Sequence, residues 1–319
     1  MPNILVSNIS FGVASPESLT KLRSLANVVL NEKSIRFTDQ DFIEKISNVD
    51  ILIAGTEKIT RSAIEEAKNL KLIVRIGVGV DNIDLDCALE NKISICYTPE
   101  APSESVPEFT LSLILNLIKG ISVSDRKMHK KNWHRPMGRM LSSMKIGIVG
   151  VGKIGSKVIR LIKSISPGTE ILFYDPYLES AEQALKCGIE QLFRESDIVS
   201  LHLPLNDQTG GLVDGGLLSS MKKESYLINT SRGGIVDEAA LYQSLKNNHL
   251  AGAAIDVFEN EPYHGPLAEL DNCLTTSHIG SLTQEVRALM EEQVVEDIES
   301  FICGQPFIRP LDGFDFCGY

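Results

Sequence analysis

The segment from residue 144 to residue 164 constrains the fold of this 319-residue chain more than any other. It reads MKIGIVGVGKIGSKVIRLIKS, in which an apolar, β-branched run leads to Gly150, Gly152 and Gly155 and then to an amphipathic helical pattern. A G-x-G-x-x-G turn between a strand and a helix opens a βαβ unit, because glycine permits both the tight turn and the close approach of the helix. The sequence therefore predicts an α/β fold.

The rest of the chain repeats this alternation of strand and helix. Five apolar runs precede residue 100 and six lie between residues 144 and 278, separated by helical patterns such as residues 60–69, 153–165 and 237–248. Near-continuous apolar strands joined by helices indicate parallel sheets covered on both faces. Two sheets fit the length better than one, so we predict two Rossmann-like, doubly wound domains, the first of them flavodoxin-like.

Two long helices near the predicted domain boundaries are expected to link the domains. One follows the Pro- and Ser-rich segment at residues 98–108, with Ser105 and Glu108 as a capping box and Pro107 in the first turn. The other begins at Ser281 with Gln284 in the capping-box position, and its buried face is Val286, Leu289, Val295 and Ile298. We therefore predict a discontinuous substrate-binding domain, residues 1–100 and 290–319, around a nucleotide-binding domain, residues 101–289.

Composition narrows the partners of the chain. Lys and Arg number 31 against 42 Asp and Glu, a formal charge of −11, which argues against nucleic acid or an anionic membrane as a partner. The N-terminus lacks the basic segment of a signal peptide, and six scattered cysteines without a C-x-x-C pair suggest reduced thiols in the cytoplasm. His and Cys show no metal-ligand spacing, so we expect no metal.

Two Gly-x-Gly phrases compete for a phosphate-bearing ligand: IGVGVDNID at residues 76–84 and IVGVGKIG at residues 148–155. Only the second completes the motif, and the helix from Lys153 would aim its free N–H groups at a pyrophosphate. Asp175, twenty residues beyond Gly155, would accept hydrogen bonds from the adenosine ribose. Because its carboxylate would repel a 2′-phosphate, the sequence favours NAD over NADP.

The first phrase is better suited to a smaller anion. It places Asp81 where phosphate oxygens would lie, whereas the N–H groups of Val78 and Gly79, with Arg75 just upstream, could hold a substrate carboxylate. The alternative interpretation is a tight turn in which Asp81 or Asp84 caps the next helix.

Three side chains suited to chemistry follow late strands, at the edge where α/β proteins bind ligands. Arg232 can clamp a carboxylate, His278 can supply a proton, and Glu261 can fix the tautomer of that imidazole. Together they favour hydride transfer to a keto acid. Taken singly, Arg232 could be half of a surface ion pair, Glu261 a solvated acid and His278 a structural residue. His202 is the rival proton donor, although a place in the cofactor wall suits it better.

The phrases RIGVGVDNID, GIVGVGKIG, FYDP, NTSRGGIVDE, GAAIDVFENEP and SHIGS, in this order, resemble the D-isomer-specific 2-hydroxyacid dehydrogenase family, above all its phosphoglycerate-dehydrogenase-like branch. The resemblance implies an NAD-dependent oxidoreductase with two Rossmann-like domains, a cleft between them and a homodimer. It makes His278 the acid/base, Glu261 its partner and Arg232 the residue that orients the substrate.

The resemblance also assigns binding roles. Val78 and Gly79 would bind the substrate carboxylate through their N–H groups, and Arg135, in a W-x-R motif, would reach toward the partner's active site. The cofactor residues are Lys153 and Ile154 at the pyrophosphate, Asp175 at the ribose, Asp256 at the nicotinamide amide, and Leu203, Thr230, Ser231 and Gly280 along the wall.

The chain departs from the phosphoglycerate branch where a phosphate would bind. Ala54 and Gly55 follow the third strand in place of an expected Arg, although Lys58 and Arg61 could substitute for it. On the resemblance, 3-phosphoglycerate is the first expected substrate, and glyoxylate, hydroxypyruvate or another 2-keto acid is the alternative. A non-catalytic, NADH-sensing scaffold is the alternative from another class.

Overall fold

The computed structural model describes residues 1–31 and 37–316, so Cys317 lies outside the described residues. The chain divides into two compact units. Unit 1 comprises Met1–Pro102 and Ser281–Tyr319, and unit 2 comprises Ser103–Gly280. Each unit is built on one parallel sheet, so the predicted fold class is confirmed.

Unit 1 contains a five-stranded sheet in the order β2-β1-β3-β4-β5, which is the flavodoxin-like order. The central strands are apolar and buried because helices cover both faces of the sheet. The strands are β1 (Asn3–Val6), β2 (Asn27–Leu30), β3 (Ile51–Ala54), β4 (Leu72–Arg75) and β5 (Ser94–Tyr97). The helices are α1 (Pro16–Leu25), α2 (Asp39–Ile46), α3 (Arg61–Glu66), α4 (Leu85–Glu90) and α11 (Gln284–Ile302).

Unit 2 contains a seven-stranded sheet in the order β12-β11-β10-β9-β6-β7-β8. The order reverses between β6 and β9, and in such sheets ligands bind beyond the carboxyl ends of the strands at this point. The strands are β6 (Lys145–Val149), β7 (Glu170–Tyr174), β8 (Leu185–Lys186), β9 (Ile198–Leu201), β10 (Tyr226–Asn229), β11 (Gly252–Ile255) and β12 (Cys273–Thr275). The helices are α5 (Pro102–Lys119), α6 (Ile121–His129), α7 (Lys153–Ile165), α8 (Ile189–Glu195), α9 (Gly215–Ser220) and α10 (Glu238–Lys246).

The predicted start of α5 is wrong. The helix begins at Pro102, and the hydroxyl of Ser105 donates to the carbonyl oxygen of Gly280 at 3.0 Å instead of capping the helix. Pro107 consequently lies in the second turn, where its missing N–H removes one intrahelical hydrogen bond.

The predicted start of α11 is also wrong. Thr283 is the N-cap, and its side chain accepts from the N–H of Val286 at 3.3 Å, so the helix begins at Gln284. Leu289 is 38% exposed and does not belong to the buried face that Val286 shares with Val295 and Ile298. Because α11 packs against β4 and β5, all of it belongs to unit 1, and the second boundary falls at residue 280 rather than residue 289.

Candidate active site

The glycine turn after β6 leaves open space at the start of α7. Gly150 has a φ of +88°, and a Cβ there would overlap the carbonyl oxygen of His202. A Cβ on Gly155 would overlap the carbonyl oxygen of Gly150, so helix and turn touch at this point. A Cβ on Gly152, in contrast, would meet nothing within 4 Å. Close packing therefore requires Gly150 and Gly155, whereas Gly152 borders the space that a ligand would fill.

The N-terminus of α7 is suited to a diphosphate. Its N-cap is Gly152, which has no side chain to accept hydrogen bonds from the first-turn N–H groups, and the first helical residues are Lys153 and Ile154. The helix runs for 13 residues, and the positive end of its dipole lies at this terminus. The uncapped turn and the open space beside it fit the diphosphate of a dinucleotide.

Asp175 lies at the end of β7 and is tied to the same turn. Its Oδ2 accepts a hydrogen bond from the backbone N–H of Val151 at 2.9 Å, and its Oδ1 accepts one from the backbone N–H of Tyr177 at 2.9 Å. Each carboxylate oxygen has a further lone pair with which it could accept a hydrogen bond from a ribose hydroxyl. The residue predicted to bind the ribose therefore also holds the glycine turn in place, which the sequence analysis missed.

The structure brings Glu261 and His278 together. The Nδ1 of His278 lies 3.0 Å from Oε2 and 3.1 Å from Oε1 of Glu261, and the N–H of Phe258 donates to the same Oε1 at 3.1 Å. The side chains are 29% and 16% exposed, respectively. When Nδ1–H donates to the carboxylate, Nε2 is the nitrogen that can exchange a proton. Among the described residues, Nε2 has no hydrogen-bond partner.

Asp256 holds the segment that carries His278. His278 has a φ of +55°, which is uncommon for a residue with a side chain. Its N–H donates to the carbonyl oxygen of Asp256, while the Asp256 carboxylate accepts from the Thr276 hydroxyl at 2.6 Å and from the N–H groups of Ile279 and Gly280, each at 2.9 Å. The contacts leave lone-pair capacity for the predicted nicotinamide amide, but the hold on the His278 segment was not foreseen from the sequence.

Arg232 follows β10 on a loop that Asn229 stabilises. The Oδ1 of Asn229 accepts from the N–H and the hydroxyl of Ser231, and its Nδ2 donates to the carbonyl oxygen of Arg232 at 2.8 Å. The guanidinium of Arg232 is half-buried and donates to the carbonyl oxygen of Ser231 at 2.7 Å. Thr230 is buried beside Thr110, with 3.0 Å between the hydroxyl oxygens. Asn229 is a further residue that the sequence analysis missed.

His202 is poorly suited to donate a proton. Burial lowers the pKa of its imidazole to about 4, so the ring is neutral near pH 7. Its Nε2 lies 2.9 Å from the hydroxyl oxygen of Ser200, and its own carbonyl oxygen packs against Gly150. Leu203 follows and also packs against Gly150. These contacts favour the wall of the dinucleotide site as the place of both residues.

In unit 1, the first Gly-x-Gly turn is closed on one side. Arg75 is 6% exposed, and its guanidinium packs over Gly77 and donates to the carbonyl oxygen of Ile76. The N–H groups of Val78 and Gly79 donate to no acceptor within residues 1–31 and 37–316. They remain candidates for a carboxylate, and the Val78 side chain is 38% exposed.

The helix-cap interpretation of this phrase is confirmed for Asp84. Its Oδ1 accepts from the N–H of Cys87 at 2.8 Å and so caps α4. The cap does not exclude a carboxylate at Val78 and Gly79, which stays a prediction.

The expected substitutes for the missing arginine differ in their surroundings. Arg61 lies 2.7 Å from Glu90 and 3.8 Å from both Glu65 and Asp84, so three carboxylates compete for it. Lys58 is exposed and follows Glu57, a buried carboxylate that accepts from the N–H of Gly55 at 2.9 Å and from the hydroxyl of Ser7. Of the two cations, Lys58 is therefore the better candidate.

Arg135 lies in a segment of unit 2 that has neither helix nor strand, residues 132–140. It is exposed, as is Trp133, at 77%.

No group of three His, Cys, Asp or Glu residues in the described part of the chain could hold a metal ion. In the same residues, no single helix is long and apolar enough to cross a membrane; α5 and α6, bent by 65° to each other, meet that criterion only as a pair.

Comparison with known sequences identifies the family. Residues 111–280 match the NAD-binding domain of the D-isomer specific 2-hydroxyacid dehydrogenases. The chain belongs to this family. Unit 2 is therefore the family's NAD-binding domain, and the nicotinamide cofactor predicted from the glycine motif is confirmed; the preference for NAD over NADP stays a prediction.

Relatives of the 2-hydroxyacid dehydrogenase family carry several names. The chain is 36% identical to a D-3-phosphoglycerate dehydrogenase of Methanocaldococcus jannaschii over 92% of its own length and 57% of the relative's. It is 33% identical to a glyoxylate reductase of Thermofilum pendens over 95% and 92% of the two chains. A structure of D-lactate dehydrogenase from Aquifex aeolicus, complexed with NAD and lactic acid, has a TM-score of 0.82, 26% identity and coverage of 95% and 96%. The chain spans only 51–59% of the phosphoglycerate dehydrogenase relatives.

Proposed function

We propose that this protein is an NAD-dependent D-2-hydroxyacid dehydrogenase that interconverts a 2-hydroxy acid and a 2-keto acid. The observation that carries the proposal is the His278–Glu261 pair, which follows the same parallel sheet as Arg232 and the open glycine turn. An acid/base, a cation for a carboxylate and a dinucleotide site at one sheet edge are the parts that this reaction requires.

Each residue of the site has a defined part in the proposed reaction. A nicotinamide dinucleotide held at the N-terminus of α7 and at Asp175 would supply or accept the hydride at C2 of the substrate. Arg232 binds the substrate carboxylate and orients the adjacent carbonyl group. His278 donates a proton from Nε2 to the carbonyl oxygen during reduction and takes it from the hydroxyl during oxidation. Glu261 fixes the tautomer through Nδ1 and stabilises the imidazolium.

Asp175 supports NAD rather than NADP as the working cofactor. A 2′-phosphate on the ribose would lie against its carboxylate, which is fixed by two backbone N–H groups. The next basic residue along the chain, Lys186, pairs with Glu179 at 3.1 Å. Measuring dissociation constants for NADH and NADPH tests this preference, and tighter binding of NADPH would contradict it.

A small, unphosphorylated keto acid such as glyoxylate or hydroxypyruvate is the substrate that we favour. Arg61 is held by carboxylates, and the buried Glu57 is a poor neighbour for a phosphate. Relatives named glyoxylate reductase and hydroxypyruvate reductase are also covered over 92% and 94% of their length. The second candidate is 3-phosphoglycerate, which the exposed Lys58 favours together with the relatives named for that substrate.

A panel of 2-keto and 2-hydroxy acids, with and without a phosphate group, tests the proposal by following NADH absorbance. We expect the highest kcat/KM with glyoxylate or hydroxypyruvate. Binding of NADH without turnover of any member would contradict the enzyme proposal and favour the scaffold alternative.

We further propose that the protein acts as a homodimer in the cytoplasm. The segment that carries Arg135 exposes three large apolar side chains, Trp133, Met137 and Met140, at 77%, 98% and 67%. Exposed apolar residues of this size favour a protein partner, and the family resemblance favours a second copy. Light scattering on wild type and Trp133→Ser tests the dimer, and a monomeric wild type would contradict it.

The cysteines support the proposed compartment, since all those within the described residues are free thiols, as is usual in the reducing cytoplasm.

A further inference from the structure

The loop that carries Glu261 is in close contact with the loop that carries Arg232. A Cβ on Gly233, the residue after Arg232, would overlap the carbonyl group of Phe258 and the nitrogen of Glu259. The backbone of the Arg232 loop therefore lies directly against the peptide that joins Phe258 to Glu259. This close packing fixes one side of the peptide.

Glu238 binds the same peptide from a second direction. The N–H of Glu259 donates to Oε1 of Glu238 at 2.8 Å. Glu238 is the first residue of α10, and the start of that helix is fixed by Asp237, whose side chain accepts from the N–H of Ala240 at 2.9 Å. The accepting side chain therefore extends from a residue whose backbone is fixed at the start of a helix.

Glu238 lies close to two other carboxylates, which is unfavourable for an acid whose only role is to interact with the helix dipole. Burial, reinforced by the carboxylates of Glu259 and Glu261, raises the pKa of Glu238 above its ordinary value. A first-turn acid gains favourable interaction with the helix dipole on the exposed side of a helix without approaching two other acids. The hydrogen bond to Glu259 offsets this repulsion.

The peptide bound by Glu238 leads to the acid/base pair. Phe258, on the other side of the peptide, donates its N–H to Oε1 of Glu261, and Glu261 binds Nδ1 of His278. The ring of Phe258 stacks on Tyr263, with 4.0 Å between centroids, so the loop is closed on itself. A shift of the 258–259 peptide would therefore move Glu261 relative to both His278 and Arg232.

We infer that Glu238 is a positioning residue: by accepting the Glu259 N–H, it sets the Glu261–His278 pair at a fixed distance from Arg232. In this role it acts through the Glu259 peptide rather than on the substrate or the cofactor. The inference rests on the proposed function, because the distance matters only if Arg232 and His278 act on one substrate.

Three variants of Glu238 test the inference. Glu238→Ala removes the acceptor, Glu238→Gln retains an amide oxygen at the same reach, and Glu238→Asp retains the charge but draws the acceptor back by about one methylene. The matched control is Glu190→Ala, which removes an exposed first-turn acid from α8 in the same unit.

For keto-acid reduction, we expect kcat to fall about tenfold in Glu238→Ala and in Glu238→Asp, since small misplacements of acid/base groups have effects of this size. The dissociation constant of NADH should change less than about twofold, because the glycine turn is untouched. Glu238→Gln should retain most of the wild-type kcat, and Glu190→Ala should match wild type.

A role limited to the helix dipole predicts the opposite order, with Glu238→Asp more active than Glu238→Gln, and that order would overturn the inference. Wild-type kinetics in Glu238→Ala would overturn it as well. Amide hydrogen exchange over residues 257–264 gives a readout independent of turnover, and it should be faster in Glu238→Asp than in Glu238→Gln. Absence of turnover in wild type would count against the proposed function, whereas unaltered exchange in Glu238→Asp would count against this inference.

Discussion

The two Gly-x-Gly turns follow similar buried strands but present different surfaces. In unit 2, β6 leads through Gly150 to Gly152, which begins a 13-residue helix and borders open space. In unit 1, β4 leads to Gly77, where the Arg75 guanidinium covers the turn, and the next helix starts only at Leu85 with Asp84 as its cap. One turn leaves a helix N-terminus uncapped, whereas the other is followed by a helix whose N-terminus is already bound to a carboxylate.

This difference shows why the same three letters do not imply the same ligand. A diphosphate can be bound by the N–H groups at the start of a helix that no side chain caps, and the second turn leads into such a helix. The first turn offers a buried cation and two adjacent N–H groups, which suit one carboxylate of a small substrate. The surroundings of the turn, rather than its glycines, therefore decide between cofactor and substrate.

The largest expected effect is that of a substitution at His278, which should lower kcat without changing the binding of NADH at the second turn. His278→Asn should reduce kcat for keto-acid reduction by about 10³-fold, because general acid–base catalysis contributes 10² to 10⁴. NADH titration should give the wild-type dissociation constant, since the glycine turn and Asp175 are unchanged. Retained turnover in His278→Asn, together with loss of activity in His202→Asn, would reverse the assignment of the proton donor.

The second prediction concerns a variant in which the helix after the second turn is capped by an acid, as Asp84 caps the helix after the first turn. Gly152→Asp places a carboxylate in open space at the N-cap of α7, so it should weaken NADH binding by about 30-fold, because the new carboxylate would repel the diphosphate and cap the first-turn N–H groups. Gly188→Asp is the matched control, because Gly188 is the N-cap of α8 and a Cβ there also meets nothing within 4 Å. Both variants should remain as stable as wild type by thermal unfolding. Equal NADH affinity in the two would contradict the diphosphate site.

The third prediction concerns the imidazole of His202, whose carbonyl oxygen packs against Gly150 in the second turn. The pKa of His202, about 4 in the folded protein, lies below its ordinary value near 6.5, so folding favours the neutral ring. Its contribution to stability is complete above pH 6.5 and is lost as the pH falls toward 4. From pH 7 to pH 5 the free energy of unfolding should therefore drop by about 2 kcal/mol. Urea unfolding of His202→Asn should show a smaller drop than wild type, and an equal drop would contradict the assignment.

The smallest expected effect is that of a substitution at Lys58, and it tests the choice between an unphosphorylated and a phosphorylated substrate. Lys58→Ala should change kcat/KM for glyoxylate less than about twofold, because an exposed side chain outside the carboxylate site contributes little. A large loss confined to 3-phosphoglycerate would instead show that Lys58 binds a phosphate, and it would restore the second candidate substrate.

Features set by local pattern could be predicted from the sequence. Eleven of the twelve strands in the described residues, the helix after Gly152 and the strand-end positions of Arg232, Asp256 and His278 follow from apolar periodicity and glycine spacing. The strand β8 was missed, because its two residues are too few to show a periodicity. The starts of α5 and α11 could not be predicted, because several Ser and Thr residues compete as caps at each helix. The contacts of Asn229 and Asp256 were missed for another reason. The side chain of Asn229 binds the loop that it begins, and that of Asp256 binds a loop that follows another strand. No spacing in the sequence indicates such contacts.

The central claim is that the second turn, Arg232 and His278 act on one bound dinucleotide and one substrate. A crystal structure with NADH and oxamate, an unreactive analogue of a 2-keto acid, tests it most directly. The account predicts the diphosphate against the N–H groups of Lys153 and Ile154, Arg232 bound to the oxamate carboxylate, and Nε2 of His278 about 3 Å from the oxamate carbonyl oxygen. A dinucleotide bound elsewhere, or an imidazole directed away from oxamate, would contradict it.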